Sequence, residues 1–291
     1  MGKKGKKGQA AKPKKLTPKE IGKRLDALVK KLQEELKGAD LFAPLLPMED
    51  CPICFIPLPR LGDKKVYKYC CGKEICLGCD EESIAMSMQG GVHNDNKSCA
   101  CPFCRAVSLK TGDVDRILEK SITKNDRIAL FALSEYFLEG SQECSKDELK
   151  AVDCLIRAVE LGSADSCGRL AAWFRDGTGV PQDMKRAILF SKVGALRGDI
   201  HSHHNMGVYE YWELGNIELA IRHWKIGAEA GSQISLDYLK NIFHANGEIV
   251  GKEFISKDYL DKIYRDCHAA QENIKSEARE KHYTKEDRLK C

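Results

Sequence analysis

No apolar run in this chain approaches the roughly twenty residues that a bilayer span needs. Runs such as Ile128 to Leu133 fall far short, so no transmembrane helix is expected and no membrane partner. The opening stretch MGKKGKKGQAAKPKK has lysines but no apolar core, and so is no secretory leader. Gly2 invites a myristoylation reading, but Lys6 stands where that motif wants Ser or Thr. The same arm has no aromatic residue to stack on a base. Residues 126–291 hold no constellation of nucleophile, base and orienting group, which excludes a conventional hydrolytic site there. These absences place the chain among soluble proteins of the cytoplasm and/or nucleus, where thiols stay reduced.

Cysteine is what the chain has in excess. Nine of its fourteen cysteines lie between Cys51 and Cys104, in CPIC (51–54), CCGKEICLGC (70–79) and SCACPFCR (98–105). The C-x2-C pairs Cys51/Cys54, Cys76/Cys79 and Cys101/Cys104 and the adjacent pair Cys70/Cys71 offer eight thiolates, enough for two tetrahedral zinc sites of four sulfurs each. A full tetrahedron has no open position for an activated water, so such zinc holds a fold together and performs no hydrolysis.

The order and spacing resemble a RING finger of the eight-cysteine kind, with fifteen residues between Cys54 and Cys70, four between Cys71 and Cys76, and twenty-one between Cys79 and Cys101. The resemblance implies a small α+β domain in which the pairs interleave as a cross-brace. Cys51, Cys54, Cys76 and Cys79 would then hold one zinc ion, and Cys70, Cys71, Cys101 and Cys104 the other. The chain departs from the family at Lys73, where many RINGs carry a histidine ligand, and Cys70 is recruited instead. Cys99 is the spare thiol, and it or His93 is the substitute if Cys70 is excluded. RING domains bind a charged ubiquitin-conjugating enzyme and hold its thioester in a reactive pose, which is catalysis by positioning without a covalent residue. By resemblance Ile53, Pro102 and Phe103 are the apolar contacts to that enzyme, and Arg105 is the cation that bridges it to ubiquitin. Ordinary packing in a small domain, and a solvated charge at Arg105, are the competing readings. The segment Asp80 to Ser98 lacks the tryptophan often found near that contact and offers Ile84, Met86 and Met88.

Charge is uneven. Residues 1–30 carry eleven Lys/Arg against Glu20 and Asp26, a net +9, which leaves the remainder of this +4 chain at −5. Residues 1–16 are read as a basic disordered arm, either simply solvated or weakly attracting nucleic acid or an import receptor. Thr17-Pro18-Lys19-Glu20 has the form of a capping box, and Ile21, Leu25, Leu28, Val29, Leu32 and Leu36 follow at helical spacing. This predicts an amphipathic helix over 17–38 that docks on the zinc domain or the repeats, in preference to a dimerising coiled coil. The zinc finger spans 48–107 and a linker 108–125.

From Asp126 the chain repeats itself. Leu133, Leu170 and Met206 are spaced by 37 and 36, Ala151 and Ala187 by 36, and Gly162 and Gly198 by 36; Ala220 and Gly231 follow 33 later. The turn Gly177-Thr-Gly179-Val180-Pro-Gln-Asp183 followed by Lys185-Arg186-Ala187 closely resembles the Sel1-like repeat, a relative of tetratricopeptide repeats. That implies an all-α solenoid over 126–278, with a degenerate last unit, a capping helix from Ser256 and a charged tail at 279–291. A RING placed before Sel1-like repeats resembles proteins of diatoms and related algae. His201, His203 and His204 read as a helix face and not as a metal site, and Cys144, Cys154, Cys167 and Cys267 as buried small hydrophobes. The functional expectation is a RING-type E3 ubiquitin ligase whose repeats hold a protein client, with a non-catalytic zinc-binding scaffold as the alternative.

Overall fold

The computed structural model describes residues 17–60, 65–89, 101–105, 114–140, 145–244 and 255–275. The basic arm, the charged tail, His93, Cys99, Cys144 and Cys291 lie outside them.

Helix α1 (Pro18–Glu35) begins on the expected box: Thr17 Oγ1 accepts from the Glu20 backbone, and Glu20 Oε2 accepts from Thr17 N at 3.0 Å. Its stripe of Ile21, Leu25, Leu28 and Leu32 is buried. A two-stranded antiparallel hairpin follows, β1 (Lys65–Lys68) and β2 (Lys73–Cys76), paired Lys65 with Cys76 and Lys68 with Lys73. Next come α2 (Leu77–Gln89) and the connector helix α3 (Val114–Thr123).

Four helix pairs follow among the described residues: α4 (Arg127–Glu139) with α5 (Glu148–Glu160), α6 (Ala164–Asp176) with α7 (Met184–Leu196), α8 (Ile200–Trp212) with α9 (Ile217–Glu229), and α10 (Gln233–His244) with α11 (Lys257–Asn273). Short polar residues cap them. Asp126, Asp147, Ser163, Asp183, Asp199, Asn216 and Ser256 each accept a hydrogen bond from the first turn of the helix that follows, satisfying donors a helix start would otherwise orphan. Helices α4 to α10 pack mainly on their neighbours in sequence, whereas α11 folds back to pack on α9 as well as on α10. The periodic glycines have two structural causes. Gly162, Gly198 and Gly231 take φ between 86° and 93°, open to glycine at little cost. Gly194 and Gly227 mark close approaches instead: a Cβ would stand 2.2 Å from Ser202 Oγ and 2.5 Å from Ser235 Oγ.

Helix α1 docks on the repeats, across α5 and α7, and its leucines join one core with α4 to α7. Each buried Leu or Ile contributes about 1.5–3 kcal/mol, whereas a half-exposed ion pair such as Asp26–Arg186 (2.8 Å) contributes about 1 kcal/mol or less, so the apolar stripe decides the docking. Charges set its register. Arg24 pairs with Asp153 and with Glu160 (3.1 Å), and Arg197 holds Glu35 through two bonds of 2.7 and 2.8 Å while also donating to the Val159 carbonyl.

Candidate metal centre

The cysteine module is built from two matching turns and the hairpin. In each C-x2-C turn a backbone N–H closes on the leading cysteine's carbonyl: Phe55 N to Cys51 O at 2.9 Å and Arg105 N to Cys101 O at 3.0 Å. The closing residue is non-glycine yet left-handed in both, with φ of 55° at Phe55 and at Arg105. The hairpin turn carries Cys70 and Cys71 with Gly72 at φ 75°, and β2 ends on Cys76, from which α2 continues to present Cys79.

These elements bring eight sulfurs into two groups. Cys51, Cys54, Cys76 and Cys79 form one, and Cys70, Cys71, Cys101 and Cys104 the other, with the sulfurs of each group within 4.8 Å of one another. The pairs interleave along the chain in the cross-brace order. The separation Cys54 Sγ to Cys76 Sγ is 3.9 Å and Cys71 Sγ to Cys101 Sγ is 3.7 Å. Four sulfurs at about 2.3 Å from a zinc ion stand roughly 3.8 Å apart along a tetrahedron's edges, whereas a disulfide requires about 2.05 Å. Both groups therefore fit a tetrahedral soft-metal ion, and the described cysteines are free thiols.

Electrostatics differ within each group. Burial opposes ionisation of Cys51, but the N–H groups of Cys54, Cys76 and Ile53 outweigh it and bring the thiol down to about 7. Cys101 also falls to about 7, with burial outweighed by the N–H groups of Cys104 and Phe103 and by neighbouring thiols. Cys70 and Cys79 are pushed the other way by burial and by adjacent sulfurs. Each turn thus supplies one readily formed thiolate, and a bound cation would stabilise the rest.

Around the clusters, Ile53, Pro102 and Arg105 are exposed, while Phe103 is half-buried against the module's small core with Lys73 Nζ 4.6 Å from its ring centroid. Phe55, which the sequence reading passed over, is 77% exposed and is the larger apolar surface beside CPIC; an aromatic directly after the pair was the available signal. Met86 is also exposed, and Ile84 only partly. The module is clasped to the repeats: Tyr67 donates to Asp126, the cap of α4, and Tyr69 packs on the main core. Burial, then that carboxylate, raises the Tyr67 hydroxyl pKa.

The three neighbouring histidines do not share a face. His201 is exposed, whereas His203 is fully buried with Nδ1 3.0 Å from Nδ1 of His223 on α9, a pairing across helices that spacing within one helix does not reveal. Cys154, Cys167 and Cys267 are buried small side chains.

Residues 127–163, 164–199 and 200–232 each match the Sel1 repeat. Among curated proteins, the E3 ubiquitin-protein ligase GW2 of Oryza sativa subsp. indica is 35% identical over 71 residues, 24% of this chain and 14% of that protein, and its subsp. japonica counterpart gives the same values. The chain thus spans about a seventh of the length of these relatives. Among solved structures, a Sel1 repeat protein from Oxalobacter formigenes aligns with 57% of this chain and 67% of its own at 22% identity and a TM-score of 0.47. The antigen c5321 of uropathogenic Escherichia coli aligns with 54% and 33% at 22% identity and a TM-score of 0.43.

Proposed function

We propose that this chain, whose C-terminal part is a Sel1-repeat solenoid and whose N-terminal module carries two four-cysteine groups, is a RING-type E3 ubiquitin ligase of the cytoplasm or nucleus. The observation that carries the reading is the interleaved pair of all-sulfur groups with Ile53, Pro102 and Arg105 exposed beside them. The 71-residue likeness to a rice E3 ligase supports it. In this reading Cys51, Cys54, Cys76 and Cys79 hold one zinc ion and Cys70, Cys71, Cys101 and Cys104 a second, and the metal supplies folding energy and no reaction step. Ile53, Phe103 and Pro102 offer apolar surface to a ubiquitin-conjugating enzyme, and Arg105 a cation to the ubiquitin it carries. The Sel1 repeats hold a protein client, and the Tyr67–Asp126 clasp keeps client and enzyme in a set relation.

A scaffold without ligase activity is the second reading. It is favoured by an α2 that presents Met86 and no tryptophan at its described surface. A single assay separates the two: discharge of ubiquitin from a panel of charged conjugating enzymes. Faster discharge by the native chain than by Cys51→Ser is the expected result, and a panel with no member accelerated leaves only the scaffold.

A further inference from the structure

The repeats' second helices are largely covered by the chain's own N-terminal segment. Helix α1 covers α5 and α7, and the segment 39–48 runs on toward α9, where the Phe42 ring lies 4.7 Å from that of His223 and under the Arg222 guanidinium at 3.9 Å. Beyond that strap the surface reopens as a cleft of about 650 Å³ between residues 42–48, α9 and α11. This lies within the range of formed ligand sites, about 300–1,000 Å³.

The cleft's chemistry is lopsided. Met48, Ile226 and Tyr259 give it an apolar lining, while Arg60, Arg222 and Lys225 face it with Glu229 as the lone acid among its lining residues. Glu229 is already engaged by Lys225 at 3.7 Å. Arg60 is partly buried and donates to the Leu46 carbonyl at 2.5 Å; burial alone acts on its guanidinium, with no carboxylate of the described residues contributing. Arg222 lies over the Phe42 ring at 3.9 Å and is exposed, with no carboxylate partner among the described residues. A partly desolvated cation without a counter-charge carries a cost that an incoming anion removes.

We infer that this cleft is a docking site for a protein client, and that it takes a segment presenting a carboxylate beside a bulky apolar side chain. The inference rests on the reading of the repeats as client-binding. The complementarity is specific: two cations at the rim without acidic partners among the described residues, and an apolar lining beneath them. The segment that continues from the α1 docking helix is the one that also lines the cleft.

The test selects a phage-displayed random peptide library on the zinc-loaded full chain, then measures a synthetic winner by fluorescence anisotropy. Enriched peptides should pair Asp or Glu with Leu, Ile or an aromatic. Arg60→Gln should weaken the winner by about tenfold or more, because it loses a partly desolvated charge contact, and Arg222→Gln should weaken it less, because that charge is exposed. Ala230→Trp, which fills the cleft from its wall, should abolish binding; zinc content and the thermal midpoint report whether that variant folds, and Arg60→Gln decides the matter if it does not. Winners without acidic residues, or winners that bind the Arg60→Gln/Arg222→Gln double variant as tightly as the native chain, overturn the inference while leaving the client-binding reading in place. A library with no winners at all overturns both.

Discussion

At the scale of single residues, the two C-x2-C turns explain why their flanking side chains sit where a partner can reach them. Closing the turn forces the fifth residue left-handed, which costs an L-residue about 1–2 kcal/mol and turns Phe55 and Arg105 outward. Ile53→Ala should weaken conjugating-enzyme binding and discharge together, whereas Arg105→Ala should spare binding and slow discharge, since a contact made mainly in the activated complex affects rate over affinity. Arg105→Gly relieves the left-handed backbone and should behave like Arg105→Ala in discharge while retaining full zinc content; a discharge rate equal to that of the native chain would remove Arg105 from the mechanism. The His203–His223 pair makes a different prediction. Burial lowers the pKa of His203 to about 4, and burial together with His203, Arg222 and Lys192 lowers that of His223 to about 3. The unfolded chain therefore binds protons near pH 6.5 that the folded chain refuses. The stabilisation is fully present above about pH 6.5 and is lost as pH falls toward 4, at up to about 1.4 kcal/mol per pH unit per histidine. Urea melts across that window should show the acid limb, and His223→Asn should make it shallower.

At the scale of elements, α1 is held by its buried stripe and aligned by its charges. Leu32→Ala should cost about 2–5 kcal/mol in chemical denaturation, while Asp26→Ala should cost about 1 kcal/mol or less. Equal losses would mean that the ion pairs carry the docking. The stripe and the capping box of α1 were legible in the sequence, since both depend on neighbours within a few residues. Its seat on α5 and α7 was not: the Arg24–Asp153 and Glu35–Arg197 pairs join residues more than a hundred positions apart. The crowding of eight paired cysteines was legible for a further reason, that close-spaced thiol pairs suit metal ligation, whereas which four share an ion came from the resemblance to a RING.

At the scale of the molecule, the module in the proposed reading depends on metal, whereas the repeats rest on apolar burial. Elemental analysis should find two zinc ions per chain. Chelation should unfold the stretch 50–105 and leave the repeat helices intact, because among the described residues the cluster that joins α1 to the repeats takes only Tyr69 from the module. A helical circular dichroism signal that collapses along with the metal would contradict this division. The thermal midpoint of the repeats should fall by a few degrees on chelation as the Tyr67–Asp126 clasp is lost. Deleting residues 1–16 should change neither zinc content nor stability, since a lysine-rich sequence has few apolar side chains to bury.

The sequence by itself determined the helical repeats, their period and turns, the docking tendency of α1 and the crowding of thiols, because each is written in short-range spacing. Only the tertiary structure decided that the cysteine module is clasped to α4, that two histidines on different helices share one buried contact, and that the chain's own strap lines a basic-rimmed cleft beside the third repeat. Those facts depend on which surfaces meet after the solenoid has wound. Burial and charge pairing between distant residues set that outcome, and no local pattern encodes it.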